Sequence, residues 1–200
     1  MTAISDHCTV INDWLNFEYS EALVTSWTRM AEQYLSTIVR SKHMIAIDVA
    51  NVSSSRVALP SDWLVLDFVR VVDGIPLKFR TREEFYSNPT NDPNRNEGFY
   101  TLTGNYLMVG GNVADGKQVE LSYYEEIPPL ADDPNWLMER YTGLYITATL
   151  SAGAAYSIED SRIPQWQTAT DRFANQITAE HMASKTSGSI LVKPRSKGFG

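Results

Sequence analysis

Gly111-Asn112-Val113-Ala114-Asp115-Gly116-Lys117 has the spacing G-x-x-x-x-G-K, in which glycine-freed backbone N–H groups and a lysine cradle the phosphates of a nucleotide. The match ends one residue later. Gln118 stands where the Ser or Thr that binds magnesium belongs, and a strand is predicted to follow, whereas the motif needs a helix whose N-terminus faces the phosphate. The stretch is read as a loop between strands. His7, His43 and His181 are far apart, and none has metal-ligand spacing to a cysteine or another histidine, so they are read as surface or helix-end residues. Cys8 beside a histidine has the composition of a nucleophile pair, but nothing around it forms a strained elbow, and it is read as a small thiol on a helix face. Adjacent carboxylates occur at Glu83-Glu84, Glu125-Glu126, Asp132-Asp133 and Glu159-Asp160. Glycoside hydrolysis needs two acids facing each other across a cleft, whereas neighbours in sequence suit helix caps and solvent, above all Asp132-Asp133 before Pro134. The sequence therefore predicts no catalytic residue, no metal and no cofactor.

The elements that would position any site must come from a chain of 200 residues with 43% hydrophobic content, enough for a real core. The formal charge of −7 is uneven. Residues 183–200 hold Lys185, Lys193, Arg195 and Lys197 and no acid, which leaves 13 bases against 24 acids in residues 1–182. An acidic body argues against nonspecific DNA gripping, which needs clustered cations. The single cysteine excludes an internal disulfide. The N-terminus lacks the basic start and apolar run of a signal peptide, and no apolar run approaches the length of a membrane span. A reducing cytoplasm, or a particle assembled there, is the expected setting, and Asn51-Val52-Ser53 carries no meaning as a glycosylation triplet.

Periodicity predicts helices at both ends and strands between them. Residues 6–16 carry Val10, Ile11, Trp14 and Leu15 on one helical face. Ser20 is a candidate N-cap for a second helix to about Arg40, whose stripe of Leu23, Trp27, Met30, Tyr34 and Ile38 is widened by Val24, Ala31, Leu35 and Val39. Strands are expected at 44–49, 56–59, 63–72, 75–79, 99–103, 106–109 and 117–124, with turns at Asp73-Gly74 and Gly104-Asn105. Residues 87–97 form a polar loop with two prolines. One helix is predicted from Asn135 to about Tyr156, where Gly143, Ala148, Ala152, Gly153, Ala154 and Ala155 would let a neighbouring helix approach closely. A final helix begins near Ile163-Pro164 and shows Trp166, Ala169, Phe173 and Ile177. Strands segregated from helices mean α+β. The expected layout is a single domain over residues 1–182, with helices at 6–41 and 134–182 packed together, an inserted antiparallel β lobe at 44–127, and an extended tail at 183–200.

This order and several local signatures resemble the head-to-tail adaptor proteins of tailed bacteriophages over roughly residues 6–195. The marks are Asp13-Trp14-Leu15-Asn16, Leu59-Pro60-Ser61-Asp62-Trp63-Leu64, the Asp73-Gly74 turn and the hairpin from Tyr100 through Val109. Most telling is Val119-Glu120-Leu121-Ser122-Tyr123-Tyr124 running into Ile127-Pro128-Pro129-Leu130 and Asn135-Trp136-Leu137. The resemblance implies a structural, non-catalytic virion subunit at the head–tail junction. It also implies a homo-oligomeric ring, usually of twelve, beneath the portal protein, with a downstream tail or nozzle protein below and DNA passing through the channel without specific binding. No membrane partner is expected. The tail, with apolar Ile190, Leu191, Val192 and Phe199 among Lys193, Arg195 and Lys197, is too polar and glycine-rich to fold alone and suits docking to the portal. A competing reading is a carbohydrate-binding tail accessory module with Tyr100, Tyr106 and Tyr123 lining an exposed platform. A third is a hydrolase using the paired carboxylates.

Overall fold

The computed structural model describes residues 2–72, 74–87, 97–131, 133–153 and 161–186. These fall into two compact units: residues 1–42 with 129–200, and residues 43–128. The first is helical and the second is built on strands, so the fold is α+β, with the sheets inserted in sequence between terminal helices that pack together.

The helical unit holds α1 (Ala3–Leu15), α2 (Glu21–Ile38), α4 (Trp136–Arg140), α5 (Thr142–Gly153) and α6 (Ile163–Thr186). Helix α1 starts earlier than its apolar stripe suggests because the Thr2 hydroxyl accepts from Ser5 N–H and supplies the cap. At the start of α2 the Ser20 side chain makes no cap bond; its carbonyl accepts from Leu23 and Val24 instead. The core gathers Cys8, Ile11, Val24, Trp27, Leu150 and Trp166. Two expected core residues on α2 face solvent, Met30 and Tyr34, as does Trp14 on α1. The buried face of α2 is centred on Val24, Ala31 and Leu35, so the stripe that widened the expected one is its true axis. Single-sequence periodicity fixes the width of an apolar face better than its rotation.

The predicted helix 135–156 is broken at Tyr141, which leaves helical geometry with ψ 46° and separates α4 from α5. Asn135, not Asp132-Asp133, caps α4: its side chain accepts from Met138 N–H at 2.9 Å. Asp133 is exposed, and Asp132 lies outside the described residues. The two glycines of α5 act as expected. Gly143 faces Phe173 of α6, and Gly153 lies flat on the indole of Trp27. Ala154 and Ala155 lie outside the described residues. Helix α6 continues four residues past the expected 182, to Thr186, with Trp166, Thr170, Ala174, Ile177 and His181 as its buried stripe.

The β unit holds β1 (Ile45–Asn51), β2 (Arg56–Ala58), β3 (Trp63–Val71), β4 (Lys78–Phe79), β5 (Gly98–Thr103), β6 (Tyr106–Gly111) and β7 (Gln118–Glu125). They form two sheets, ordered β1-β7-β3 and β2-β6-β5-β4. Pairing is antiparallel except between β4 and β5, which are parallel. Their shared core includes Val57, Val69, Leu107, Val109, Val119 and Leu121. The Gly104-Asn105 hairpin forms as predicted, with Gly104 at φ +59°. One α-helix was not predicted: α3 (Arg82–Ser87), set by a reciprocal cap in which Thr81 N–H donates to Glu84 Oε2 at 3.0 Å and Glu84 N–H donates to Thr81 Oγ1 at 3.3 Å. Asp73 of the expected turn, and residues 88–96 of the expected polar loop, lie outside the described residues.

Candidate functional site

The strand alternation of the three-stranded sheet sends Ala46, Ala50, Leu66, Val69, Val119, Leu121 and Tyr123 inward. The opposite face carries side chains that alternation would normally make polar, yet Ile47 is 67% exposed, Val49 48%, Val65 44% and Phe68 41%. The register lines them up: Ile47 and Phe68 flank Ser122 in one row, and Val49 and Arg70 flank Glu120 in the next. Arg70 grips Glu120 with two bonds, Nε to Oε1 at 2.9 Å and Nη2 to Oε2 at 2.8 Å. Those bonds hold the Glu120 carboxyl below the usual range. Exposed apolar side chains in adjacent rows beside a fixed ion pair make this face a candidate binding surface.

A concave surface lies on the helical unit, where α2, α5 and α6 leave a groove of about 490 Å³. Ala31, Ala148 and Ala152 form its floor, and exposed Met30 and Tyr34 form one wall. Tyr34 Oη donates across to Asp171 Oδ1 at 3.3 Å.

A dense polar constellation among the described residues is one that sequence reading missed. Glu32, on the buried face of α2, accepts from Leu130 N–H at 2.6 Å, from the Tyr145 hydroxyl, and from Asn135 Nδ2 at 3.5 Å, while Arg29 approaches its other oxygen at 3.5 Å. Burial raises the Glu32 carboxyl against the pull of these donors, and burial with the Glu32 contact drives the Tyr145 hydroxyl far above its usual range. A carboxylate enclosed by such donors, with Glu32, Tyr145 and Asn135 all buried, ties α2 to the 130–135 segment and α5. It has no face open to a substrate, so its role is structural.

Gly111 ends β6 and Gly116 sits at φ +84° in the connection to β7. Within that loop Asp115 accepts from Ser54 N–H at 3.1 Å and Ser55 N–H at 2.8 Å. The pseudo-motif thus directs an acid at a neighbouring turn, where a phosphate site would need donors. His7 and His181 are not surface residues: both are buried. The His7 ring makes a 3.1 Å contact between Nε2 and Thr149 Oγ1, and burial lowers its pKa to about 4. Cys8 is buried, and that burial raises its thiol further from the reactive form. Glu84 caps α3, and Asp62 O accepts from Glu126 N–H. Glu159-Asp160 lies outside the described residues. The tyrosines of the carbohydrate reading do not share a platform, because Tyr123 is in the core, Tyr100 is half-buried against Phe79, and only Tyr106 is exposed. Among the described residues no helix is long and apolar enough to cross a membrane. The docking residues Ile190, Leu191, Val192, Lys193, Arg195, Lys197 and Phe199 lie outside the described residues.

A comparison with protein families matches residues 2–191 to the model described as the SU10 adaptor protein. The chain belongs to the SU10 adaptor protein family. That match takes in residues of both units, so the adaptor architecture is the helices and inserted sheets together. Membership gives the chain the structural role of a phage adaptor. No curated protein matches the chain in a sequence search.

Proposed function

We propose that the chain is a head-to-tail adaptor: identical copies form a closed ring below the portal, the ring joins capsid to tail, and DNA leaves through its channel. Twelve copies is the count the resemblance implies. Residues 1–182 act as one adaptor body in this reading, and residues 183–200 are its docking arm. The observation that carries the reading is the family match, which runs almost from end to end and reaches Leu191 in the arm. Charge supports it, since a body with 13 bases against 24 acids repels phosphates and leaves moving DNA unbound. Contacts between neighbours in such a ring are heterologous and close by rotation.

In the arm, Ile190, Leu191, Val192 and Phe199 fill portal pockets while Lys193, Arg195 and Lys197 meet its acidic groups. Removing residues 187–200, which keeps α6 whole, is expected to weaken binding to the cognate portal at least about 100-fold, or about 2.7 kcal/mol. Native mass measurement of the chain mixed with portal reads this directly. Undiminished assembly by the truncated chain would eliminate the arm as the portal contact. The outward sheet face of Ile47, Val65 and Phe68 is assigned to the downstream tail or nozzle protein. Phe68→Lys is expected to abolish that contact while the melting temperature stays within about 2 °C, because the site is solvent-exposed.

A further inference from the structure

The groove between α2, α5 and α6 has a definite chemistry. Alanines line it beside Ser151 and Thr170, Met30 and Tyr34 form one wall, and Asp171, which accepts from Tyr34 Oη, stands at its rim. Small floor residues admit branched side chains, and one acid at the edge favours a cation immediately beyond them. The chain carries a segment of that composition, Ile190-Leu191-Val192 followed by Lys193 and Arg195. We infer that the groove of one copy accepts Ile190-Leu191-Val192 of a second copy, with Lys193 or Arg195 set against Asp171.

Chain reach decides between the copy's own groove and another's. Asp171 lies fifteen residues before Thr186 on α6, about 22 Å at the helical rise. Fully extended, Ile190 lies at most about 14 Å from Thr186, Leu191 about 18 Å and Val192 about 21 Å. Ile190 and Leu191 therefore stop short of their own groove and Val192 only meets its near edge, while a second copy can offer the groove to all three. Charge favours contact of the arm with a body, and reach selects the copy. Cations at 185–197 meet a body holding 24 acids and 13 bases, an attraction that weakens with salt. The contact is heterologous, arm into groove, and needs no portal. A portal that takes the same triplet would displace it, so free and docked adaptors would hold the arm differently.

Sedimentation velocity of the full-length chain over a micromolar concentration series tests this. Self-association is expected, and it should weaken about tenfold or more in Met30→Lys, an exposed wall position, and in the triple change Ile190→Ser, Leu191→Ser, Val192→Ser, which lies past the end of α6. Asp171→Lys should weaken it as well, and Lys193→Asp added to that chain should restore most of the loss. A monomeric wild-type chain, association indifferent to the triple serine change, or failure of the charge exchange to restore it would overturn the inference. Portal binding is measured separately. Arm-dependent self-association without portal binding would remove the portal reading and keep this one, and the converse would do the opposite.

Discussion

Acidification from pH 7 to pH 4 is expected to remove about 3 kcal/mol of folding stability through His7 alone. The ring is 1% exposed, set edge-on to Tyr145 with centroids 5.1 Å apart and held at Thr149. Burial lowers its pKa from 6.5 to about 4, because the enclosed site penalises the imidazolium. The unfolded chain therefore takes up a proton near pH 6.5 that the native chain refuses until about pH 4. In that window the unfolded state binds more protons, so stability is fully present above pH 6.5 and falls as pH falls toward 4. Glu32 has the opposite sign. Its folded pKa is raised from 4.5 by burial, so its contribution is present below 4.5 and is lost as pH rises through the folded value. Denaturant unfolding of wild type and His7→Gln at several pH values isolates the histidine, since Glu32 is common to both. The variant should be less stable at pH 7 and show a flatter dependence between 6.5 and 4. Parallel pH profiles for the two proteins would disprove the assignment.

Trp27→Ala is expected to cost about 3–5 kcal/mol, the range for deleting a buried aromatic side chain. The indole is 1% exposed, meets Tyr19 edge-on with centroids 4.9 Å apart, and lies among Ile11, Val24, Leu150 and Trp166. Its fit depends on a missing side chain opposite. A Cβ at Gly153 would stand 2.7 Å from Cε3 and 2.8 Å from Cδ2 of the ring, closer than carbon atoms approach. Gly153→Ala is thus expected to cost about 1–3 kcal/mol from overpacking, despite the better helix propensity of alanine. The two changes share one volume, so the double variant should lose about 1 kcal/mol or more less than the sum of the singles. Thermal or denaturant unfolding of the four proteins completes the cycle. Strict additivity would mean that glycine is not there to admit the indole.

Much of this architecture was legible in residue order alone. Glycines and prolines mark where the chain turns, so the Gly104-Asn105 hairpin and the strand following Lys117 could be placed. A 3.6-residue apolar period survives in any context, so the second helix and the last one could be placed as well. The same patterns excluded a nucleotide loop, because the motif lacked its hydroxyl and its helix. Charge counting separated a cationic end from an acidic body without any coordinates.

Tertiary structure decided what depends on which neighbour arrives. Met30 and Tyr34 have the spacing of core residues, and only the rotation of α2 against α5 and α6 turns them into a groove wall. Glu32 looks like a solvent-facing acid until Leu130, Asn135 and Tyr145 converge on it from segments about 100 residues away in sequence. His7 reads as a helix-end residue until Thr149 and Tyr145 close over it. Ile47, Val65 and Phe68 become a surface only because β7 sets β1 and β3 in a register that turns them all to one side. Local sequence determines which elements form. Burial, pairing and proton affinity are set by residues distant in the chain, and those are fixed only when the elements pack.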